Sequence, residues 1–232
     1  MYDRLVGQKI LDLIPVGASR IFVGKATGAH HLPQHEINRT LVRLGRGGRR
    51  TVRLKGGDPF IFGRGSEEAL ELTSAGIPFE VVPGISAATG ACSYAGIPLT
   101  HRGLASGVRF VTGHCREDMP LDLNWQSLAD PDTTLVFYMG LANLAELSAK
   151  LIDHGLAKNT PAAAIENGTR SDQRRLVSTL NELPVDVQAH DFRSPSLLVI
   201  GRVVELAGAL DWFTPALENT RAETHDVLVA AQ

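Results

Sequence analysis

The sequence predicts an α/β protein in two lobes, with a mostly parallel sheet in the first lobe and a mixed sheet in the second. Three observations carry this. Short β-branched runs alternate with longer helical patterns through the first half of the chain, the rhythm of βαβ units that bury a sheet on both faces. After Gly113 the texture shifts to a polar, acid-containing stretch, which reads as a connection. Beyond it, two strand patterns follow each other without a helix between them, and that demands antiparallel pairing. A length of 232 residues lies above the usual single domain and below two comfortable ones, which by itself favours one large α/β unit or two compact lobes.

Taken in order, the first lobe (1–114) opens on a strand pattern at 20–23, followed by a helix at 34–44 and a strand at 51–54. A helix at 66–74, a strand at 79–82, a helix at 86–94 and a strand at 108–112 continue the alternation. Residues 115–132 form the connection. The second lobe (133–213) has a strand at 134–138, a helix at 142–154 and strands near 162–166, 175–179 and 196–200. Residues 214–232 have weak periodicity and are expected to fray as a tail.

Composition excludes several classes. With 44% hydrophobic and 21% charged residues, 23 Gly and 12 Pro, the chain is neither collagen-like, low-complexity nor disordered. It shows no apolar run near the roughly 18 residues that span a bilayer and no signal-peptide pattern, so a soluble cytoplasmic protein without a membrane partner is expected. Cys92 and Cys115 form neither a disulfide framework nor a ligand set, which suits a reducing compartment. The net charge of −2 conceals a split: residues 1–64 carry 12 Lys and Arg against 4 Asp and Glu, and the remainder 11 against 21. Arginine dominates the cations, 18 to 5, which suits bidentate recognition of carboxylate or phosphate, although codon bias and solvated helix faces account for most of these arginines. Without a basic–aromatic stripe or helix-turn-helix pattern, nucleic acid is not an expected partner.

The chemistry concentrates in Val52-Arg53-Leu54-Lys55-Gly56-Gly57-Asp58-Pro59-Phe60-Ile61-Phe62-Gly63-Arg64-Gly65, followed by Ser66-Glu67-Glu68. A strand runs into paired glycines at its carboxyl end, where open α/β sheets bind ligands. Gly56 and Gly57 allow close approach to bare backbone, and Asp58 offers a carboxylate to hydroxyls or a cation. A tight turn before a helix would explain Gly-Asp-Pro alone, but not the second glycine cluster around Arg64 or the Glu pair behind it. His30, His31 and His35 lie close together, yet no Cys or carboxylate completes a ligand spacing, so no metal site is expected. Met139, at a strand end, reads as core filler on its own.

This segment, together with Tyr2-Asp3-Arg4-Leu5-Val6, Val23-Gly24-Lys25, Leu32-Pro33-Gln34, Ile37-Asn38, Val82-Pro83-Gly84-Ile85-Ser86-Ala87, Gly96-Ile97-Pro98-Leu99-Thr100-His101-Arg102-Gly103, Thr112-Gly113-His114, Tyr138-Met139-Gly140 and Asn167-Gly168-Thr169, closely resembles the uroporphyrinogen-III C-methyltransferases. The resemblance covers residues 2 to about 213. It implies the two-lobed tetrapyrrole methylase fold, a homodimer, and two methyl transfers from S-adenosyl-L-methionine to uroporphyrinogen III, giving precorrin-2 for siroheme or cobalamin and releasing S-adenosyl-L-homocysteine. It further implies cofactor contacts from Gly56, Gly57, Asp58, Ile61, Ser86, Ala87, Met139 and Gly168. Substrate contacts are implied for Arg4, Arg64, Glu67, Arg102 and Met139. Asp3 is implied as proton acceptor and Lys25 as proton donor, with Arg64 a rival for taking the proton.

Each has a plainer alternative. Asp3 could cap a turn or pair with Arg4, Lys25 could be a surface charge, and Arg64 could pair with Glu67. Members of that family open with a further strand, a Gly-Pro-Gly-Asp-Pro loop and a helix ahead of the segment at which this sequence starts. Another precorrin or diphthine-type methyltransferase, or a binding remnant without turnover, remains a competing expectation.

Overall fold

The computed structural model describes residues 1–24, 32–114 and 121–213. Lys25, His30, His31, Cys115 and the expected tail at 214–232 lie outside the described residues. The chain divides into two compact units, Met1–Gly90 and a second from Ala91 onward. No helix among the described residues is long and apolar enough to cross a membrane.

The first unit is organised by helices α1 (Gln8–Leu11), α2 (Gln34–Arg46) and α3 (Gly65–Ser74), and by the start of α4 (Ala87–Tyr94). In α2, Ile37 and Leu41 fall four residues apart on one face and pack with Met1 and Val23 into a small core flanked by Ile21, Leu32, Leu44 and Leu72. Residues 1–2 lie between two parallel neighbours: Tyr2 N donates to Ile21 O, Val23 N to Tyr2 O, and Leu54 N to Met1 O. The expected strands at 20–23 and 51–54 each shrink to a single bridge to Tyr2, at Phe22 and Leu54. The segment at 79–82 forms no strand. The ladder ends after one rung because the chain turns at Asp3, where Leu5 N donates to the Asp3 carboxylate and Val6 N to the Asp3 carbonyl. The parallel direction is as expected; the continuous sheet is not.

A buried charge cluster fastens this unit. Glu68, on α3 and 5% exposed, accepts through one oxygen from Gln34 Nε2 (3.1 Å), Arg53 Nε (3.2 Å) and Lys55 Nζ (3.5 Å). Residues 53 and 55 share one face of an extended segment by its two-residue period, so both cations meet the same helix. Burial and the neighbouring Arg53 lower the Lys55 pKa, and Glu68 pulls it back up.

The second unit is built on a five-stranded mixed sheet in the order β1-β2-β5-β3-β4, with β1 Gly107–Thr112, β2 Thr133–Tyr138, β3 Pro161–Glu166, β4 Arg174–Thr179 and β5 Ser196–Ile200. β1 and β2 run parallel, and the other neighbours are antiparallel. The mixed sheet and the β3–β4 pairing follow the sequence expectation.

The strand expected in the first lobe at 108–112 instead belongs to this sheet. Its parallel partner β2 can be reached only by a crossover, so the polar stretch after Gly113 joins two strands of one sheet rather than two lobes. Part of it forms α5 (Trp125–Leu128), which Asn124 caps by accepting from Ser127 N at 3.0 Å.

Leu135 and Phe137, Leu198 and Ile200, and Ala162 and Ala164 alternate onto one face. There they pack with Leu147 and Leu151 of α6 (Leu144–Asp153) and with Leu183 and Val187 of α7 (Leu183–Ala189). The intervening Val136, Ala163 and Val199 are equally buried, so these strands read as continuous apolar runs. Sequence reading passed over α7, although Pro184 in its first turn and the Leu183/Val187 spacing signal it.

Removing the shared anion leaves Lys55 largely buried without its partner and Arg53 held only by Asp3 and the Leu54 carbonyl. Glu68→Ala is therefore expected to lower the unfolding free energy by about 3–5 kcal/mol in a urea titration, whereas a loss below about 1 kcal/mol would make the cluster incidental.

Candidate active site

The glycine segment is shaped by close backbone approaches. A Cβ on Gly56 would lie 3.0 Å from Leu5 Cβ and 3.1 Å from the Leu5 carbonyl oxygen, and Gly57 takes a φ of +74°. Gly84 follows the same logic, since a Cβ there would fall 2.4 Å from the Gly57 oxygen.

Asp58 ties these pieces together. Its carboxylate accepts from Phe60 N at 2.8 Å and from Gly84 N at 3.0 Å, so two loops meet on one side chain. These backbone N–H groups, Gly84 first, hold its carboxyl below the usual carboxylate range. The expectation that Asp58 offers a free carboxylate is thereby narrowed to the lone pairs that Phe60 N and Gly84 N leave unused.

The second glycine cluster is explained the same way. Cβ atoms on Gly63 and Gly65 would come within 2.7 and 2.5 Å of the Pro59 carbonyl oxygen, to which Gly65 N donates. Phe62 and Arg64 sit at φ 52° and 57°, a conformation that costs non-glycine residues energy and persists where its surroundings over-determine it. Ile61 lies in this turn and is 37% exposed.

Ser86 occupies the position before α4. Its buried hydroxyl accepts from Thr89 N at 3.4 Å and lies 3.2 Å from Thr89 Oγ1, a helix N-cap. Ala87 is exposed, and its nitrogen lies 3.6 Å from the position of a Cβ on Gly57. Gly56, Gly57, Asp58, Ile61, Ser86 and Ala87 thus come together within the first unit.

The other residues of this unit surround that surface differently. Asp3 accepts through Oδ2 from both terminal nitrogens of Arg53, each at 3.3 Å, and through Oδ1 from Leu5 N. Sequence reasoning missed Arg53, although the alternation Arg53–Lys55 on one strand face was a usable signal. Arg64 and Glu67 form a bidentate pair, 2.8 and 2.7 Å, which raises the Arg64 pKa further above its ordinary range. Both line an open cleft of about 630 Å³ together with His35, Asn38 and Glu71. Arg4 is exposed, and its side chain has no hydrogen-bond partner among the described residues.

In the second unit, Met139 follows β2 at φ 54° and is 51% exposed. Its reading as core filler is overturned: a strained backbone holds an apolar side chain in the open. Beside it Gly113 and Gly140 nearly touch, since a Cβ on Gly113 would fall 2.5 Å from Gly140 Cα. Gly168 lies in a turn whose flanking residues Asn167 and Thr169 both have positive φ, 51° and 70°. A Cβ on Gly168 would meet Ala91 Cβ at 2.4 Å. Arg102 is exposed in the turn closed by His101 and Ala105, again with no side-chain hydrogen-bond partner among the described residues. Cys92 is buried in α4, which pushes its thiol up to about 12 and leaves it protonated at neutral pH. No group of three or more potential metal-ligating side chains occurs among the described residues.

A mixed sheet packed with helices, with glycine turns and strained residues at element ends, defines an α/β protein. Residues 1–184 match the sequence profile described as tetrapyrrole (corrin/porphyrin) methylases, and the chain belongs to that family.

The siroheme synthase of Azotobacter vinelandii is 55% identical over 213 residues, covering 92% of this chain and 46% of that protein. Siroheme synthase 1 of Yersinia enterocolitica is 54% identical, covering 98% and 48%. The chain therefore spans about half the length of these relatives. Among solved structures, the uroporphyrin-III C-methyl transferase of Thermus thermophilus complexed with S-adenyl homocysteine has a TM-score of 0.74 at 37% identity, covering 89% of this chain and 86% of that one. A cobalt precorrin-4 methyltransferase, at 23% identity and a TM-score of 0.75, shares the fold.

The lowered Asp58 pKa has a defined sign. Its contribution to stability is complete above the unfolded value, about 3.9, and is lost as the pH falls through the lower folded value. Acid unfolding of the wild type is expected to include this loss, whereas Asp58→Asn should be less stable at neutral pH and insensitive in that window. Parallel acid titrations by circular dichroism would expose the difference, and identical curves would count against the brace.

Proposed function

We propose that this chain catalyses S-adenosylmethionine-dependent C-methylation of uroporphyrinogen III, twice in succession, yielding precorrin-2. The observation that carries the reading is the 37% identity, over 86% of its length, to the Thermus thermophilus uroporphyrin-III C-methyl transferase. The residues present fit the cofactor, because Gly56, Gly57 and Ala87 offer unshielded backbone polar groups and Met139 an exposed apolar side chain.

When bound, S-adenosylmethionine supplies an electrophilic methyl group on sulfur and leaves as S-adenosylhomocysteine. The task of the chain is chiefly to hold that methyl and a pyrrole carbon in line. Gly56, Gly57, Asp58, Ile61, Ser86, Ala87, Met139 and Gly168 bind and orient the cofactor. Arg4, Arg64 and Arg102 receive the acetate and propionate carboxylates of the tetrapyrrole, with Glu67 fixing the Arg64 guanidinium and Met139 also touching the ring.

The methylated ring must lose a proton, and Asp3 takes it, with Lys25 returning one to the ring system. Arg64 suits binding rather than proton abstraction, because Glu67 raises its pKa further. The chain acts as a homodimer in the cytoplasm.

Incubating the 232-residue chain with uroporphyrinogen III and S-adenosylmethionine is expected to give a product two methyl groups heavier; an unmethylated tetrapyrrole would overturn the proposal. Asp3→Asn is expected to lower kcat by about 10²- to 10⁴-fold without changing S-adenosylhomocysteine affinity. Arg102→Ala should raise the tetrapyrrole KM about tenfold with little change in kcat. A turnover defect in Arg64→Ala at unchanged tetrapyrrole KM would transfer the proton-accepting role to Arg64.

A further inference from the structure

Gln173 is 7% exposed, and its amide is engaged at both ends. Oε1 accepts from Thr169 N at 2.7 Å, and Nε2 donates to the Tyr94 carbonyl at 3.1 Å. It thereby joins the Asn167–Gly168–Thr169 turn to the carboxyl end of α4. That end of the helix is itself firmly held: Tyr94 packs edge-on against Trp212 and Phe213, with ring centroids 4.9 and 4.8 Å away. Trp212 Nε1 donates to Ser93 O at 2.9 Å, and Arg175 donates to Ala95 O at 2.6 Å.

The turn needs such an anchor. The two residues flanking Gly168, Asn167 and Thr169, both sit at positive φ, and Gly168 lies so close to Ala91 of the same helix that a Cβ there would not fit. A backbone in that conformation relaxes unless neighbouring groups over-determine it.

We propose that Gln173 is a positioning residue for cofactor binding, holding the Gly168 turn in its strained shape against α4 so that its backbone is preorganised for S-adenosylmethionine. This rests on the assignment of Gly168 as a cofactor contact. A buried amide satisfied at both ends is costly to leave half-paired, so the bridge is specific to an amide of this length. The cofactor gains because the turn need not be ordered at the moment of binding.

The test uses Gln173→Met, which keeps a similar volume and removes both hydrogen bonds. S-adenosylhomocysteine titrated calorimetrically is expected to bind about tenfold more weakly, with the KM for S-adenosylmethionine rising in step and kcat at saturation within about twofold. Hydrogen exchange of the Thr169 amide should accelerate while the amides of β3 and β5 keep their protection. A merely structural role would lower active enzyme and β3–β5 protection together and leave the dissociation constant unchanged; that result overturns the proposal.

If Gln173→Met does not fold, Gln173→Glu retains the acceptor for Thr169 N and breaks only the Tyr94 end. The same weakening at unchanged kcat supports the proposal, and wild-type affinity overturns it. Gly168→Ala separates the two ideas, since its Cβ must displace the turn from Ala91. Full affinity in that variant defeats the cofactor assignment itself, whereas weakened Gly168→Ala beside unaffected Gln173→Met defeats the positioning role alone.

Discussion

The first unit depends on one buried carboxylate. Glu68 receives Gln34 from α2, Arg53 and Lys55 from the extended segment leading to Gly56, and it sits on α3 itself. Three elements are therefore oriented by a single oxygen atom. Arg53 carries the constraint further, since its remaining nitrogens hold Asp3. A buried ion pair is weak evidence of net stability, because desolvation offsets the attraction. What it supplies here is orientation: beside an apolar cluster of Met1, Val23, Ile37 and Leu41 among the described residues, the polar cluster ties α2, α3 and the extended segment to one another.

A second constraint recurs in both units, and it is absence of volume. Gly63, Gly65, Gly84, Gly113 and Gly168 each face an atom less than 3 Å from where a Cβ would stand. At these contacts the backbone packs so closely that no side chain fits. The strained residues Arg64, Met139, Asn167 and Thr169 stand next to those contacts. Strain and close approach coincide with the positions that resemblance assigns to cofactor and substrate, which is how functional strain is usually distributed.

Much of this was legible in the chain. Periodicity located α2, α3, α4 and α6 and every strand of the second sheet, because those segments bury one face or both and their apolar spacing reports it. The 214–232 tail and Lys25 lie outside the described residues. The helix α7 escaped because its short apolar repeat is carried by only Leu183 and Val187. In the first unit, β-branched runs at 51–54 and 79–82 suggested a ladder that is reduced to single bridges or none. Composition registers the preference for extended backbone, but pairing needs a partner lying alongside.

The sequence by itself determined the family, the glycine positions and the residue types proposed to meet the ligand, because spacing and side-chain chemistry are local properties. Tertiary structure decided which of those groups remain available. Asp58 looks like a ligand carboxylate and is found bracing Phe60 and Gly84. Met139 looks like core filler and is found exposed on a strained backbone. Gln173 carries no motif, yet it bridges a turn to a helix 79 residues away in sequence. The strand at 107–112 changed lobe for the same reason: hydrogen-bond partners distant in sequence are chosen by packing, and no local pattern records them.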